Sequence, residues 1–311
     1  MCGPARDLTH YGVLDRPRID QPHYGTHLGD AGYWSPYVAI VLSRHHLPAS
    51  ELEAPFAGTF PVFLAGDVVV KLFGPTFDGT ESHTAELAMH HLLAGHPEIP
   101  APGLIAHGCL FGDEPRWPYL VTGRLRGVAI READLDHSAS VSVARQLGEA
   151  VGRLHRLPAP GPVAGRDVLR EMRARAADRL RGFGMPGHLA EQVPDYLADA
   201  LPATSLVHAD ITADHVFVDR AGLVGLIDWG DAIIADPYYE LVAVYFDAFR
   251  GRRPLLTEFL RSYGWDRADD FGRRALQGVL EFQFDAISRI SEMVDLTEVK
   301  DLGQLAERLF G

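Results

Sequence analysis

The sequence predicts an α+β protein in two parts: a β-rich first third, then a mostly helical remainder carrying one further β-hairpin. Three observations predict it. Thr59-Phe-Pro-Val-Phe-Leu64 and Asp67-Val-Val-Val-Lys-Leu-Phe73 are apolar runs flanking Ala65-Gly66, a hairpin signal. Beyond Gly127 apolar residues recur at helical intervals, as in Val143, Leu147, Val151 and Leu154. Inside that helical part, Val216-Phe-Val218, Arg220-Ala-Gly222 and Leu223-Val-Gly-Leu-Ile227 read strand, turn, strand.

Taken in order, residues 1–32 scatter Pro, Gly, His and Asp without periodicity and read as an irregular arm. Tyr33 to His45 sets Trp34, Val38, Val41 and Leu42 on one stripe, a helix ending near Pro48. After the first hairpin, Ala85, Ala88, Met89 and Leu92 mark a helix over Glu81 to Leu93. Pro100–Leu110 and Trp117–Val121 are further strands. Gly123–Gly127 breaks the pattern, which divides the chain into an N-terminal lobe (1–122, with its arm) and a C-terminal lobe (123–311, with the second hairpin). The helix through Leu154 stops before the Pro158–Gly165 loop. Helices follow at 168–182 and 186–201, and after the hairpin at about 237–250, 254–263 and 267–294.

Composition narrows the class. In 311 residues, 47% are hydrophobic and 23% charged, as in an ordinary globular chain. A net charge of −13 argues against a nucleic-acid partner and permits a cationic small substrate. Cys2 and Cys109, the only cysteines, give neither a disulfide framework nor zinc spacing, which suits a reducing cytoplasm. Charged residues interrupt the N-terminus, and no apolar run is long enough for a bilayer, so no membrane partner is expected.

The chemistry concentrates in three places. Lys71 lies in the apolar strand Val68–Phe73, where a cation is unexpected unless it snorkels from an edge or meets phosphate and a helix carboxylate. Glu86 is the best such carboxylate. Asp210 follows His208 by two in a loop leaving a strand, and can align a substrate hydroxyl. His208 reads as a brace for that loop. Asp228 ends the strand Leu226-Ile-Asp228 ahead of Trp229-Gly230, which suits one carboxylate holding Mg²⁺ against phosphates. The hairpin brings Asp210 and Asp228 to one edge of a small sheet. Asp236, before Pro237, reads as a helix N-cap. No Walker-type loop and no Gly-x-Ser-x-Gly elbow occurs, and His45-His46 and His90-His91 lack a third convergent ligand for zinc.

Over roughly residues 55–290 these features together resemble the aminoglycoside phosphotransferase family, of protein-kinase-like fold, and its hygromycin phosphotransferase branch most closely. The residues concerned are Pro61-Val-Phe-Leu64, Val70-Lys-Leu-Phe-Gly74, Glu81-Ser82 through Glu86, Trp117-Pro-Tyr-Leu-Val121, Gly148-Glu-Ala-Val-Gly-Arg-Leu-His-Arg156, His208-Ala-Asp210, Ile227-Asp-Trp229 and Ala248-Phe-Arg-Gly251. The resemblance implies Lys71, paired with Glu86, on the phosphates of ATP or GTP. It implies Gly58-Thr59 in the loop over them, and Gly123 and Arg124 offering backbone groups to the purine. Asp210 becomes the catalytic acid and Asp228 the principal Mg²⁺ ligand. Where the family pattern has asparagine as second metal ligand this chain has His215, preceded by Asp214. Imidazole suits Mn²⁺ better than Mg²⁺. Family members bind cationic substrates with C-terminal carboxylates. The candidates here are Asp231, Asp247, Glu281 and Asp285, the last two one turn apart on the same face of Val279–Ile290.

The expected function is therefore a cytoplasmic, nucleotide-dependent kinase of a hydroxyl on an aminoglycoside or aminocyclitol antibiotic, conferring resistance. The rivals are a metabolic kinase of a nucleoside or sugar intermediate, and an inactive pseudokinase that only binds a small molecule.

Overall fold

A computed structural model describes residues 14–17, 27–55, 58–199, 202–265 and 269–311. Most of the expected N-terminal arm lies outside the described residues. The chain forms two compact units, each treated by itself: the described residues up to Gly95 with Pro102–Leu125, and His96–Ala101 with Arg126–Gly311.

In the first unit Asp30 opens helix α1 (Ala31–Arg44), its carboxylate accepting from the Tyr33 amide at 3.0 Å. Strands β1 (Leu52–Glu53), β2 (Val62–Ala65), β3 (Val68–Leu72), β4 (Leu104–Cys109) and β5 (Pro118–Gly123) form one antiparallel sheet in the order β1-β2-β3-β5-β4. Period-2 alternation sends Val68, Val70 and Leu72 into a core with Trp34, Val38 and Val41 of α1. Each of those fully buried side chains contributes about 1.5–3 kcal/mol. Lys71 faces the other way, toward Phe60 and Phe73, where helix α2 (Gly79–Leu93) adds Leu87. Cys109 is held in a disulfide. Absence of a spacing framework did not exclude a single bridge, because a bridge needs only spatial proximity.

In the second unit, β6 (Val128–Ala129), β8 (Val216–Asp219) and β9 (Gly222–Leu226) make a three-stranded sheet, and β7 (Ser205–Val207) pairs with β10 (Ile233–Ala235). Helix α3 (His137–Leu154) lies against α4 (Arg253–Tyr263). That approach requires Gly148: a Cβ there would stand 2.3 Å from the Phe259 carbonyl oxygen. Helices α5 (Phe271–Glu281), α6 (Ile287–Met293) and α7 (Leu302–Phe310) follow.

Four expected helices are subdivided, that at 186–201 into the short turns Gly187–Ala190 and Val193–Tyr196 among its described residues. The one at 168–182 breaks at Arg175 into Val168–Ala174 and Ala176–Gly182. That at 237–250 is a 3₁₀ turn (Pro237–Tyr239), an α turn (Glu240–Val242) and a wide π turn (Ala243–Ala248). The one at 267–294 ends at Glu281, where Phe282 turns extended, and restarts at Ile287. No described helix is long and apolar enough to cross a membrane.

Candidate active site

Strand β3 is central, between β2 and β5, so Lys71 does not snorkel from an edge. It is buried, and its Nζ donates to Glu86 Oε2 at 2.7 Å while lying 5.1 Å from the Phe73 ring centre and 5.6 Å from that of Phe60. A buried cation with one carboxylate partner and two aromatic faces is a preorganised charge.

Two buried imidazoles surround this pair. Burial, then the Lys71 charge, lowers His90 to about 4. Burial, then His107, lowers His83 to about 4. Unfolded histidines bind protons near pH 6.5, so between pH 6.5 and 4 the unfolded chain takes up more protons and stability falls with pH. The loss reaches at most about 3 kcal/mol per histidine at pH 4. Urea melts at pH 7 and pH 5 should show the destabilisation, and His83→Gln should shrink it. An equal drop in the variant would acquit His83.

In the second unit, β7 delivers its chain into His208-Ala209-Asp210. Ala209 is left-handed at φ 71°, as is Asp228 at φ 64° where the chain leaves β9. An aspartate tolerates that backbone better than a branched residue. His208, fully buried, donates from Nε2 to the Ile227 carbonyl at 2.9 Å and accepts from the Asp210 amide on Nδ1 at 3.3 Å. Both ring nitrogens are engaged and burial lowers its pKa, so it braces the loop as a neutral ring.

His215 stands between the two acids. Its Nδ1 donates to the Asp210 carbonyl oxygen at 2.7 Å and lies 3.2 Å from Asp210 Oδ2, and its Nε2 lies 3.7 Å from Asp228 Oδ2. Burial works against the charged ring, but the Asp210 hydrogen bond and the charges of Asp210 and Asp228 outweigh it and raise it to about 10. Only the neutral form of this ring has a lone pair for a metal, and the two flanking carboxylates favour the charged form. Asp228, by contrast, suits a hard cation that takes one protein carboxylate and fills its other positions with phosphate and water oxygens. His215→Asn should remove the competing positive charge and supply an amide oxygen. We expect Mg²⁺-nucleotide affinity to rise about tenfold. Calorimetry with Mg²⁺ and Mn²⁺ checks it; identical affinities in both proteins would refute a role for His215 at the metal.

Other expected site residues are placed as follows. Gly58 and Thr59 precede Phe60 in a loop leading into β2. The Gly123 amide donates to Gly103 and the Arg124 amide to Asp67, so neither N–H is left for a purine. Asp231 accepts from Gln283 Nε2. Asp247 accepts from the Ala213 amide at 2.7 Å and pairs with Arg131 and Arg289. Glu281 is buried and accepts from Arg173 Nε at 2.7 Å. Asp285 accepts from the Ser288 amide in the first turn of α6 at 3.0 Å, beyond the break at Phe282. Glu281 and Asp285 therefore do not share one helix face. Asp236 caps the 3₁₀ turn through Tyr238, as the sequence suggested.

The sequence reading missed Glu240, the group that shapes the acid loop. Fully buried, it accepts from the His208 amide (2.7 Å) and the Ala209 amide (3.0 Å), and from His155 Nε2 at 3.3 Å. His155 in turn receives the Tyr263 hydroxyl on Nδ1. An acid inside Tyr238-Tyr-Glu-Leu-Val242, otherwise apolar, was the available signal. Also missed were Arg131, which pairs with Asp214 at 2.5 Å as well as Asp247, and Arg166, which donates to the Gly230 and Ala232 carbonyls just past Asp228.

Residues 59–278 match the family described as the phosphotransferase enzyme family (APH). The chain belongs to that family. Among curated relatives of this phosphotransferase-family chain, a homoserine kinase of Rhodopseudomonas palustris is 32% identical over 153 residues, 45% of this chain and 44% of that protein. A lysine-specific demethylase, JMJ21, of Arabidopsis thaliana is 23% identical over 203 residues, 48% of this chain and 21% of that protein. The chain spans less than half the length of these two relatives. Among solved structures, the GDP and kanamycin complex of APH(2")-IIia superposes with a TM-score of 0.65 at 20% identity, covering 88% of this chain and 95% of that one. The likeness is one of fold: α+β, of the kinase-like kind found in aminoglycoside phosphotransferases.

Proposed function

We propose that the protein transfers the γ-phosphoryl group of ATP or GTP to a hydroxyl of a small molecule. One observation carries this reading. Asp210 Oδ2 and Asp228 Oδ2 face opposite nitrogens of a single imidazole, His215, so the two acids lie one ring apart. Phosphoryl transfer through a loose transition state asks for that pair: one carboxylate to align the hydroxyl, one to hold a metal-bound phosphate. Asp210 takes the first role and Asp228 the second, with Mg²⁺, or Mn²⁺ in its place, as the metal that offsets phosphate charge. In the first unit Lys71, held by Glu86, offers its charge to the nucleotide phosphates. Asp228→Ala should weaken metal-nucleotide binding by about 10–100-fold while leaving metal-free nucleotide binding unchanged. Titrations with and without Mg²⁺ separate the two; an equal loss in both would move the metal elsewhere.

The acceptor we propose is an aminoglycoside or aminocyclitol of the hygromycin type, which makes the protein a resistance enzyme; the sequence motifs support it, as does the kinship of fold. A second reading, a metabolic kinase of a neutral or amino-acid hydroxyl, is favoured by one observation. Asp231, Asp247, Glu281 and Asp285, the carboxylates expected to meet a cationic acceptor, all have intramolecular partners. The 32% identity to homoserine kinase supports the same reading. Transfer of labelled γ-phosphate across a panel of aminoglycosides, sugars, nucleosides and hydroxy amino acids decides between them. No transfer to any acceptor with either metal, alongside intact nucleotide binding, would overturn both and leave the pseudokinase.

A further inference from the structure

We propose that a cavity of about 370 Å³ in the second unit, lined by Arg131, Ser140, Arg250 and Arg252, binds an oxyanion, the phosphate or carboxylate of a small molecule. The chain carries a net charge of −13, yet three guanidinium groups border this one cavity, against a single carboxylate, Asp134. Arg131 is neutralised by Asp214 and Asp247. Arg250 and Arg252 are not: neither has an ion pair among the described residues, and Arg252 uses only its Nε, on the Phe249 carbonyl at 3.2 Å. Two guanidinium forks with open donors match the paired oxygens of phosphate or carboxylate.

Ser140 is the second, independent sign. It is 4% exposed, lines the cavity, and its Oγ is buried without a hydrogen-bond partner among the described residues. Buried hydroxyls are nearly always satisfied, and an oxyanion in the cavity would accept its proton. Arg250 also sits at φ 49°, a left-handed backbone that an arginine seldom adopts. The cavity adjoins the acid loop through Arg131, whose partner Asp247 holds the Ala213 amide. An oxyanion that draws on Arg131 therefore competes with the contact that fixes that loop.

The test is calorimetric titration of the full chain with inorganic phosphate and, separately, acetate, at pH 7 and constant ionic strength. Saturable binding of one or both, with a Kd of the order of millimolar, is expected. Arg250→Ala with Arg252→Ala should weaken it at least about tenfold, Ser140→Ala by several-fold, and Asp134→Asn, at an exposed position, should tighten it about threefold. Preference for phosphate over acetate identifies a phosphorylated ligand, and the reverse a carboxylate. Absence of saturable binding up to about 50 mM, or an affinity that none of the three variants moves, overturns the site. The readout is binding and not turnover, so failure here leaves the proposed phosphoryl transfer untouched.

Discussion

Replacing Asp210 with alanine is expected to lower phosphoryl transfer by about 10³-fold and to leave nucleotide affinity within about twofold. The carboxylate contributes by fixing the direction of an attacking hydroxyl and by receiving its proton, effects realised in the transition state and not in nucleotide binding. Its surroundings make that position firm: the Asp210 amide is held by His208 Nδ1 and its carbonyl by His215 Nδ1. Asp210→Asn should be nearly as slow, because an amide can orient a hydroxyl but not receive its proton. Single-turnover measurements with saturating nucleotide check both variants. An alanine variant that keeps more than about a tenth of the rate would remove Asp210 from the chemistry.

The second large effect is expected at Glu240, and in stability. Truncation to alanine strips the acceptor from the His208 and Ala209 amides and from His155 at once, all in a region closed to water. The cost is about 3–5 kcal/mol, equivalent to a melting point lower by about 10 °C. Glu240→Gln retains one acceptor oxygen and should recover about half of the loss. The pH dependence carries the same sign. Burial opposes ionisation of Glu240, but the hydrogen bonds from His155 and from the His208 amide outweigh it and hold the carboxyl below its usual range. Its stabilisation is thus present above the ordinary carboxylate pKa and fades as pH falls through the lowered one. A thermal melt of Glu240→Ala within about 2 °C of the parent would show that the loop holds its shape by other means.

Local pattern is legible in this sequence; partnership across long separations is not. Both hairpins were legible, because alternating apolar runs around Gly66 and Gly222 are local signals. Lys71 and Asp228 stood out because each is a charge set into an apolar strand. The Lys71–Glu86 pairing followed from a strand and a helix adjacent in sequence. Glu240 and Arg131 escaped because their partners lie 32 and 116 residues away, at His208 and Asp247; the apolar run around Glu240 marks it as unusual but does not name its partner. The helix breaks at Arg175 and Phe282 escaped for a different reason: apolar spacing continues across them, while the backbone turns to meet tertiary contacts. Strand β6, two residues long, offers no period to read.

Gly148 links architecture to chemistry over a distance. The bare α-carbon there sets how close α3 comes to α4, and the same two helices carry His155 and Tyr263, the outer members of the chain that ends at Glu240. A single added methyl group would separate the helices and reach the acid loop through that relay. A residue with no side chain is thereby coupled to a carboxylate it never touches, and variation at 148 would surface in stability as well as in turnover.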